Sequence, residues 1–332
     1  MRHLSNSLLL IAASCCPCAI GATLEQVLQQ QDADSRGDLR AVVVLRNGAL
    51  AAEHYYNGQA PDGLHDMRSA GKSVTALLVG AAVAQGKLAV DGKVGRYWPE
   101  VAGSAAGEVV LDDLLTMRSG LAAFDEDAES PGNEDKFDEA ADPAAFVRGV
   151  PLAVAPGTLY RYNSLGSYIA GRVVESASGR DLDAWASMAL FAPLGITRWH
   201  WGRDVDGRAK GQGNLSLTPR DMAKIGQLVL DEGVLDGRRV MAGGWLQAAL
   251  APRVAIGDVD RYADHYGYFW YGKTYDVAGV NLSVSFASGN GGNKIYIIPA
   301  RRMVVAIASA AYGKPYGQRR SEAILKALLA AQ

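Results

Sequence analysis

The sequence has little cysteine: its three cysteines, Cys15, Cys16 and Cys18, all precede residue 19. From residue 22 onward the chain holds no thiol, so disulfides and thiolate ligands are excluded there. The sequence also contains no Walker loop, no glycine fingerprint for dinucleotides and no zinc-like spacing of ligands. We therefore expect neither a cofactor nor a metal ion.

Strong charge of one sign is also absent. Lys and Arg number 33 against 35 Asp and Glu, a net charge of −2, so neither nucleic acid nor an anionic membrane is expected as a partner. The composition is that of a globular protein, 49% hydrophobic and 20% charged over 332 residues. The five histidines are scattered and are expected on the surface or in packing: His3, His54, His65, His200 and His265.

The N-terminus has the pattern of a targeting segment. Arg2 and His3 precede an apolar run over 8–20, and small residues follow it. This pattern predicts a signal peptide over 1–21, a secreted or periplasmic protein, and no integral membrane segment after cleavage. The alternative is a lipoprotein anchored through Cys15.

The tetrad Ser69-Ala70-Gly71-Lys72 opens a long apolar stretch with helical character. Residues three apart share one face of a helix, so the Lys72 ammonium can reach the Ser69 hydroxyl. A serine becomes a nucleophile when a neighbour takes its proton, which a lysine does when burial and positive potential lower its pKa. The tetrad alone is more typical of a solvated Ser and Lys on a first helical turn, so the rest of the chain must decide.

Apolar patterning predicts two strands early in the chain and three late, with a hairpin at Asn47-Gly48. Between them the chain looks helical and rich in loops. We therefore predict an α/β (α+β) fold: a five-stranded antiparallel sheet flanked by helices, with an inserted mainly helical lobe. The single domain would cover 22–332, with a sheet lobe over about 22–93 and 262–332 and the helical lobe over about 94–261. The five predicted strands are 41–45, 50–54, 280–286, 294–298 and 303–308.

Four segments together carry a family resemblance: "RSAGKSVTALLVG" (68–80), "LLTMRSGL" (114–121), "PGTLYRYNS" (156–164) and "LTPRDMAKIGQLVL" (217–230). In this order they resemble the serine beta-lactamase and penicillin-binding-protein superfamily, in its class C-like branch. The triplet Tyr162-Asn163-Ser164 and the short 289–292 segment are most similar to the 6-aminohexanoate-dimer hydrolase-like and esterase subgroup.

The resemblance implies an acyl-enzyme mechanism. Ser69 would attack a carbonyl, Lys72 would accept or polarise its proton, and Tyr162 would pass the proton to the leaving group and later activate water. A phenol beside an ammonium gives up its proton more readily, which suits this role.

The resemblance also implies the remaining site residues. Backbone N–H groups of Ser69 and Asn290 would form an oxyanion hole. Ser164, Gly289 and Gly291 would contact the substrate. The 289–292 segment is also typical of a simple hairpin turn, and it can serve as both turn and hole.

Two departures from the family pattern bear on the substrate. Penicillin-recognising relatives have a Lys or His where this chain has Ala287, so carboxylate recognition is expected to be weaker. Ser164 replaces an asparagine that often holds the acyl side chain. Lys294 is near in sequence, but alternation along a strand leaves its direction open. We therefore expect short esters to be cleaved best, amine-bearing linear amides next and beta-lactams last.

The stretch 125–139 is strongly acidic between two of these motifs. A solvated mobile loop is the simpler interpretation. The alternative is a lid whose negative field attracts amine-bearing substrates and repels carboxylates.

The sequence thus predicts an exported serine hydrolase that acts on a small-molecule ester or amide. A D,D-peptidase or weak beta-lactamase is the alternative within enzymes. A non-catalytic penicillin-binding-like sensor is the alternative outside them, although such a sensor has no chemical need for Ser69, Lys72 and Tyr162 together. The sequence indicates no oligomeric state.

Overall fold

The computed structural model describes residues 22–331, in which a large antiparallel sheet is flanked by helices. The predicted signal peptide (1–21), with Cys15, lies outside the described residues. The strands are β1 (Leu39–Arg46), β2 (Ala49–Tyr55), β3 (His65–Asp66), β4 (His200–Trp201), β5 (Leu215–Leu217), β6 (Val234–Leu235), β7 (Arg238–Arg239), β8 (Val254–Ala255), β9 (His265–Tyr266), β10 (Tyr271–Val277), β11 (Val280–Gly289), β12 (Asn293–Ile298) and β13 (Met303–Ser309).

The main sheet has the strand order β2-β1-β13-β12-β11-β10-β9-β8, and its neighbouring strands are antiparallel. The predicted fold class and all five predicted strands are confirmed, but the predicted strand number is wrong: the sheet has eight strands. β8 and β9 have two residues each, too few to show any alternation, and β10 is largely polar.

The centre of the sheet is the most apolar part of it. Every residue of β12 and β13 is buried, as expected for strands covered on both faces. At the edge, β1 and β2 join through Asn47 (φ 52°) and Gly48 (φ 79°). Both residues adopt the left-handed conformation that a tight two-residue hairpin requires, which explains the Asn-Gly pair.

The α-helices are α1 (Leu24–Gln29), α2 (Gly71–Ala84), α3 (Val94–Tyr97), α4 (Ala105–Glu108), α5 (Leu111–Leu115), α6 (Glu134–Asp138), α7 (Pro143–Gly149), α8 (Ser164–Ser178), α9 (Leu182–Ala186), α10 (Pro219–Leu230), α11 (Gly243–Leu250) and α12 (Tyr316–Ala330). None of the helices within 22–331 is both long and apolar enough to cross a membrane. The lobe boundaries at 94 and 261 stay a prediction, and α10, which lies between them in sequence, packs on β1, β12 and β13.

Helix α2 positions the site because it is buried on nearly every side. It packs against α8, α11 and β11. Trp185 and Trp245 donate their indole N–H groups to the carbonyl oxygens of Leu78 and Ala76, both at 3.1 Å. Helix α2 is therefore fixed between the sheet and the other helices. Its N-terminal end, which follows Ser69, lies where the sheet and the helices meet.

Candidate active site

Ser69 lies in a 3₁₀ turn, Arg68–Ala70, immediately before α2. Arg68 has φ 51°, a left-handed conformation that costs a non-glycine residue about 1–2 kcal/mol. Asp66 Oδ1 accepts the Arg68 N–H at 2.8 Å, and the Arg68 guanidinium lies over the Tyr312 ring at 4.2 Å. These contacts hold the strained turn that places Ser69 in a cleft.

Lys72 lies in the first turn of α2 and is 1% exposed. Its Nζ donates to Ser69 Oγ at 3.0 Å, to Ser164 Oγ at 3.0 Å and to the Gln212 carbonyl oxygen at 2.7 Å. An ammonium has three N–H groups, so each of them has an acceptor. The geometry confirms the predicted reach from Lys72 to Ser69 and fixes the ammonium between two hydroxyls.

The pKa of Lys72 moves in the direction opposite to the expected one. Burial lowers its pKa, but interactions with Tyr162, Glu134 and Asp125 together raise it above its ordinary value. The predicted lowering of the pKa is therefore contradicted. Tyr162 contributes most to this rise, and the two carboxyls that add to it, Glu134 and Asp125, come from the acidic stretch, whose approach to the site the sequence left open.

Tyr162 and Ser164 enter the site from the start of α8. Asn163 caps that helix, since its side chain accepts the Gly166 N–H at 2.7 Å. The cap places the Tyr162 ring 5.1 Å from Lys72 Nζ, at the wall of the cleft. Ser164 was predicted to contact substrate. It is 1% exposed, does not line the cleft, and its Oγ accepts from Lys72 Nζ at 3.0 Å, on the helix α2 against which α8 packs.

The end of β11 approaches the Ser69 turn very closely. A Cβ at Gly289 would lie 2.1 Å from the Met67 carbonyl oxygen and 3.0 Å from the Ala70 nitrogen, so no larger residue fits. Among residues 22–331, neither the Ser69 N–H nor the Asn290 N–H donates to a protein acceptor. The structure thus brings the two predicted oxyanion-hole residues to the same edge of the cleft.

The turn after β11 is fixed by its own contacts. Gly291 has φ 85°, which favours glycine. Asn290 Oδ1 accepts the Gly313 N–H at 2.8 Å, and its carbonyl oxygen accepts from Asn293 Nδ2 at 2.9 Å. The turn is therefore held to the segment before α12, and its N–H groups are preset.

These elements enclose a cleft of about 820 Å³. Its floor carries the turns around Ser69 and 288–291, and aromatic side chains form much of its wall. Lys294 lines this cleft, whereas the completely buried Ala287 does not. The aromatic residues of the wall are Phe124, Tyr160, Tyr162, Tyr262, Tyr271 and Phe286.

The acidic stretch divides into two parts. Asp125 and Glu134 line the cleft, and burial raises the pKa of both carboxyls, partly offset by the Lys72 charge. Residues 126–129 between them are exposed. Asn133 ties the segment together, because its side-chain amide donates to the carbonyl oxygens of Asp125 (3.1 Å) and Asp127 (3.2 Å). The solvated-loop interpretation therefore fails at Asp125 and Glu134, whereas the C-terminal end of the stretch, Asp138 and Glu139, is exposed.

One site residue was missed by the sequence reasoning. The Gln212 carbonyl oxygen is the shortest contact of Lys72, from 140 residues along the chain. Its flanking glycines give the available signal: Gly213 has φ 152°, and a Cβ at Gly211 would lie 2.9 Å from the Ser167 carbonyl oxygen. Among residues 22–331, no group of three or more His, Cys, Asp or Glu could hold a metal ion.

Comparisons with known proteins place this geometry in a family. The beta-lactamase family matches residues 24–329. The chain is 30% identical over 245 residues to the 6-aminohexanoate-dimer hydrolase of Paenarthrobacter ureafaciens, which covers 69% of this chain and 59% of that protein. It is 29% identical over 199 residues to esterase EstB of Burkholderia gladioli, covering 54% of this chain and 50% of that protein.

The chain thus spans between half and three fifths of the length of these two relatives. Among solved structures, a class C beta-lactamase superposes with a TM-score of 0.69 at 17% identity, covering 92% of this chain and 94% of that chain. That likeness shows the fold, and the family match covers nearly all described residues. The chain therefore belongs to the beta-lactamase family.

Proposed function

We propose that this protein hydrolyses small esters or amides through an acyl-enzyme on Ser69. The observation that carries the proposal is the buried Lys72 ammonium, which donates to Ser69 Oγ at 3.0 Å beside Tyr162 in an open cleft. A Ser and Lys pair without a function would be expected at the surface. Here the Lys72 ammonium is buried, and each of its three N–H groups has an acceptor. The presence of all three side chains also argues against a non-catalytic sensor.

The charge of Lys72 assigns the proton transfers. Because its pKa is raised, Lys72 acts as a cation that donates to Ser69 Oγ and leaves the hydroxyl proton free to move elsewhere. Tyr162 in its phenolate form, whose negative charge the nearby cation stabilises, takes this proton and becomes a neutral phenol as Ser69 attacks the carbonyl carbon. The N–H groups of Ser69 and Asn290 receive the oxyanion, a contribution of about 10²–10³ in rate for one such donor.

Collapse of the intermediate releases the leaving group, which takes the proton from Tyr162. Water then repeats the sequence: Tyr162 accepts a proton from water, the hydroxide attacks the acyl carbonyl, and Ser69 regains its proton as the acid leaves. Atoms and protons balance over the cycle, and the whole cycle runs on side chains that line or support the cleft.

The substrate class is supported by the relatives and by the cleft. One relative is named a 6-aminohexanoate-dimer hydrolase and another is named an esterase. A cleft of about 820 Å³ suits a small molecule. We also propose a secreted or periplasmic location, on the targeting pattern at 1–21. Intact-mass analysis of the purified protein, beginning near residue 22, would test it.

The function is tested with 4-nitrophenyl acetate and butyrate. The wild-type protein is expected to release a burst of nitrophenol equal to the enzyme concentration, followed by slower turnover, because acylation and deacylation are separate steps. Ser69→Ala should abolish both phases. Ser119→Ala, which removes a buried hydroxyl outside the cleft wall, is the matched control. An unchanged burst in Ser69→Ala would overturn the proposal.

A further inference from the structure

The turn after β11 is held from behind by side chains that the mechanism above does not use. This turn, 289–292, carries the Asn290 N–H of the proposed oxyanion hole. Each of its four carbonyl oxygens accepts a hydrogen bond from a side chain, so its peptide groups have little freedom to rotate. In chain order the donors are Gln318 Nε2 (2.8 Å), Asn293 Nδ2 (2.9 Å), Ser309 Oγ (2.5 Å) and Ser321 Oγ (2.6 Å).

The hydrogen bonds of Ser309 have a fixed direction. Ser309 is the last residue of β13, is 1% exposed and does not line the cleft. Its Oγ accepts from Arg320 Nη2 at 2.7 Å and lies 2.5 Å from the Gly291 carbonyl oxygen. A guanidinium can only donate and a hydroxyl has one proton. The Ser309 proton therefore lies toward the Gly291 carbonyl.

Arg320 is itself held in place by charge. It is 6% exposed, and its Nη1 donates to Asp34 Oδ2 at 2.8 Å and to Asp38 Oδ1 at 2.5 Å. Both carboxylates belong to the loop before β1. Breaking a buried ion pair leaves an uncompensated charge, so this arrangement resists movement. Because Arg320 is charged, its hydrogen bond to Ser309 is also stronger than one between neutral groups.

The Gly291 carbonyl connects Ser309 to the Asn290 N–H through two peptide groups. In a trans peptide group the carbonyl and the following N–H point in opposite directions. Ser309 holds the Gly291 carbonyl and thereby directs the Gly292 N–H. That N–H donates to the Gly289 carbonyl oxygen at 3.2 Å. The Gly289 carbonyl in turn shares its peptide group with the Asn290 N–H, which is thus directed away from the Ser309 side of the turn.

We propose that Ser309, oriented by Arg320, is a positioning residue that aims the Asn290 N–H at the developing oxyanion. This inference rests on the proposed function and deepens it, because it extends the oxyanion hole to buried side chains behind the turn. Gln318 also holds the turn, but it lines the cleft. A change at Gln318 would therefore alter the cleft wall together with the turn, whereas a change at Ser309 alters only the support of the turn.

The first readout is steady-state turnover of 4-nitrophenyl butyrate by Ser309→Ala, which leaves the Gly291 carbonyl without its side-chain donor. Acylation and deacylation both pass through an oxyanion, so both rates should fall and KM should stay within about twofold of the wild-type value. We expect kcat to fall about tenfold, less than the loss of an oxyanion donor outright. The burst amplitude counts the active sites, so each rate is expressed per active site.

The second readout is inhibition by phenylboronic acid. Its boron bonds to Ser69 Oγ and becomes tetrahedral, which places a boronate oxygen where the oxyanion forms. In Ser309→Ala the Ki should rise by the same factor as kcat/KM falls. A mere loss of folded protein would lower the burst amplitude and leave Ki unchanged.

Thr116→Val is the matched control. It removes a buried hydroxyl that donates to a main-chain carbonyl, that of Asp112 at 2.8 Å, and Thr116 does not line the cleft. The control should change neither kcat/KM per active site nor Ki.

The inference is overturned if kcat/KM of Ser309→Ala per active site stays within about twofold of the wild-type value, or if it falls while Ki stays unchanged. If Ser309→Ala does not fold, Arg320→Lys decides. That variant keeps a cation beside the two carboxylates but loses the fork that reaches Ser309, so a parallel change of about threefold in kcat/KM and Ki is expected, and its absence would overturn the inference. Failure of the proposed function is a different result, in which the wild type itself shows no burst.

Discussion

Two buried lysines lie at this cleft, Lys72 through its contact with Ser69 and Lys294 in the lining, and their pKa values move in opposite directions. Lys72 is 1% and Lys294 is 2% exposed. The pKa of Lys72 is raised, because the charges of Tyr162, Glu134 and Asp125 outweigh burial. The pKa of Lys294 falls to about 7, because burial there outweighs Asp260 and Glu322.

The comparison teaches that burial alone does not set the charge of a lysine. Around Lys72 the protein supplies three hydrogen-bond acceptors and negative side chains, so the ammonium is complete within the fold. Around Lys294 it supplies one hydroxyl and ring faces. The first arrangement suits a fixed part of the proposed catalytic apparatus, and the second leaves the ammonium without a full set of acceptors among residues 22–331.

The largest effect should come from removing the Lys72 cation. Lys72→Ala is expected to lower kcat/KM for 4-nitrophenyl acetate more than about a hundredfold, within the range of general acid–base and electrostatic effects. Lys326→Ala, at an exposed position on α12, is the control. If kcat/KM of Lys72→Ala stays within threefold of the wild-type value, Lys72 is not part of the catalytic apparatus and the contrast between the two lysines is lost.

A smaller effect should show which carboxyl groups raise the pKa of Lys72. Neutralising Asp125 or Glu134, as Asp125→Asn or Glu134→Gln, removes a charge that raises the pKa of Lys72. The ammonium is then lost at lower pH, so the alkaline limb of kcat/KM should move to lower pH by roughly half a unit to one unit. Glu126→Gln, at an exposed position of the same segment, should not move it. If the alkaline limb stays at the same pH in both variants, the charges of Asp125 and Glu134 do not raise the pKa of Lys72.

The smallest effect is on stability. Lys294 loses its proton at about pH 7 in the folded protein and near 10.5 when unfolded, so unfolding takes up a proton between these values. The penalty for burying its charge is full below pH 7 and fades as pH rises to 10.5. Lys294→Met should therefore raise Tm by about 5 °C at pH 6, and by less at pH 10. A lower Tm at pH 6 with no dependence on pH would show that the Lys294 charge carries no penalty.

Much of this fold could be predicted from local patterns. The alternation of Leu282, Val284 and Phe286 indicated β11, and the Asn47-Gly48 pair indicated the first hairpin. The strands β8, β9 and β10 could not be predicted, because two-residue strands and a largely polar strand have no apolar period. Their existence depends on pairing with β11 and with each other.

The candidate site, like the fold, could be predicted from the sequence only in part. The i, i+3 spacing of Ser69 and Lys72 predicted their contact, because a helix fixes that geometry. The Gln212 carbonyl, the inward direction of Asp125 and the face of Lys294 depend on residues far away in sequence. A run of acidic residues has the same composition whether or not some of its members turn into a cleft, and a strand residue has two possible faces until the register is known.

The central claim is that Ser69 is the residue that becomes acylated. Its most direct test is labelling of the purified protein with a fluorophosphonate, followed by mass analysis of the tryptic peptides. The account predicts one label, on the peptide and at the residue of Ser69, and none in Ser69→Ala with an unchanged Tm. A label on Ser119 or Ser288, or continued labelling of Ser69→Ala, would contradict it.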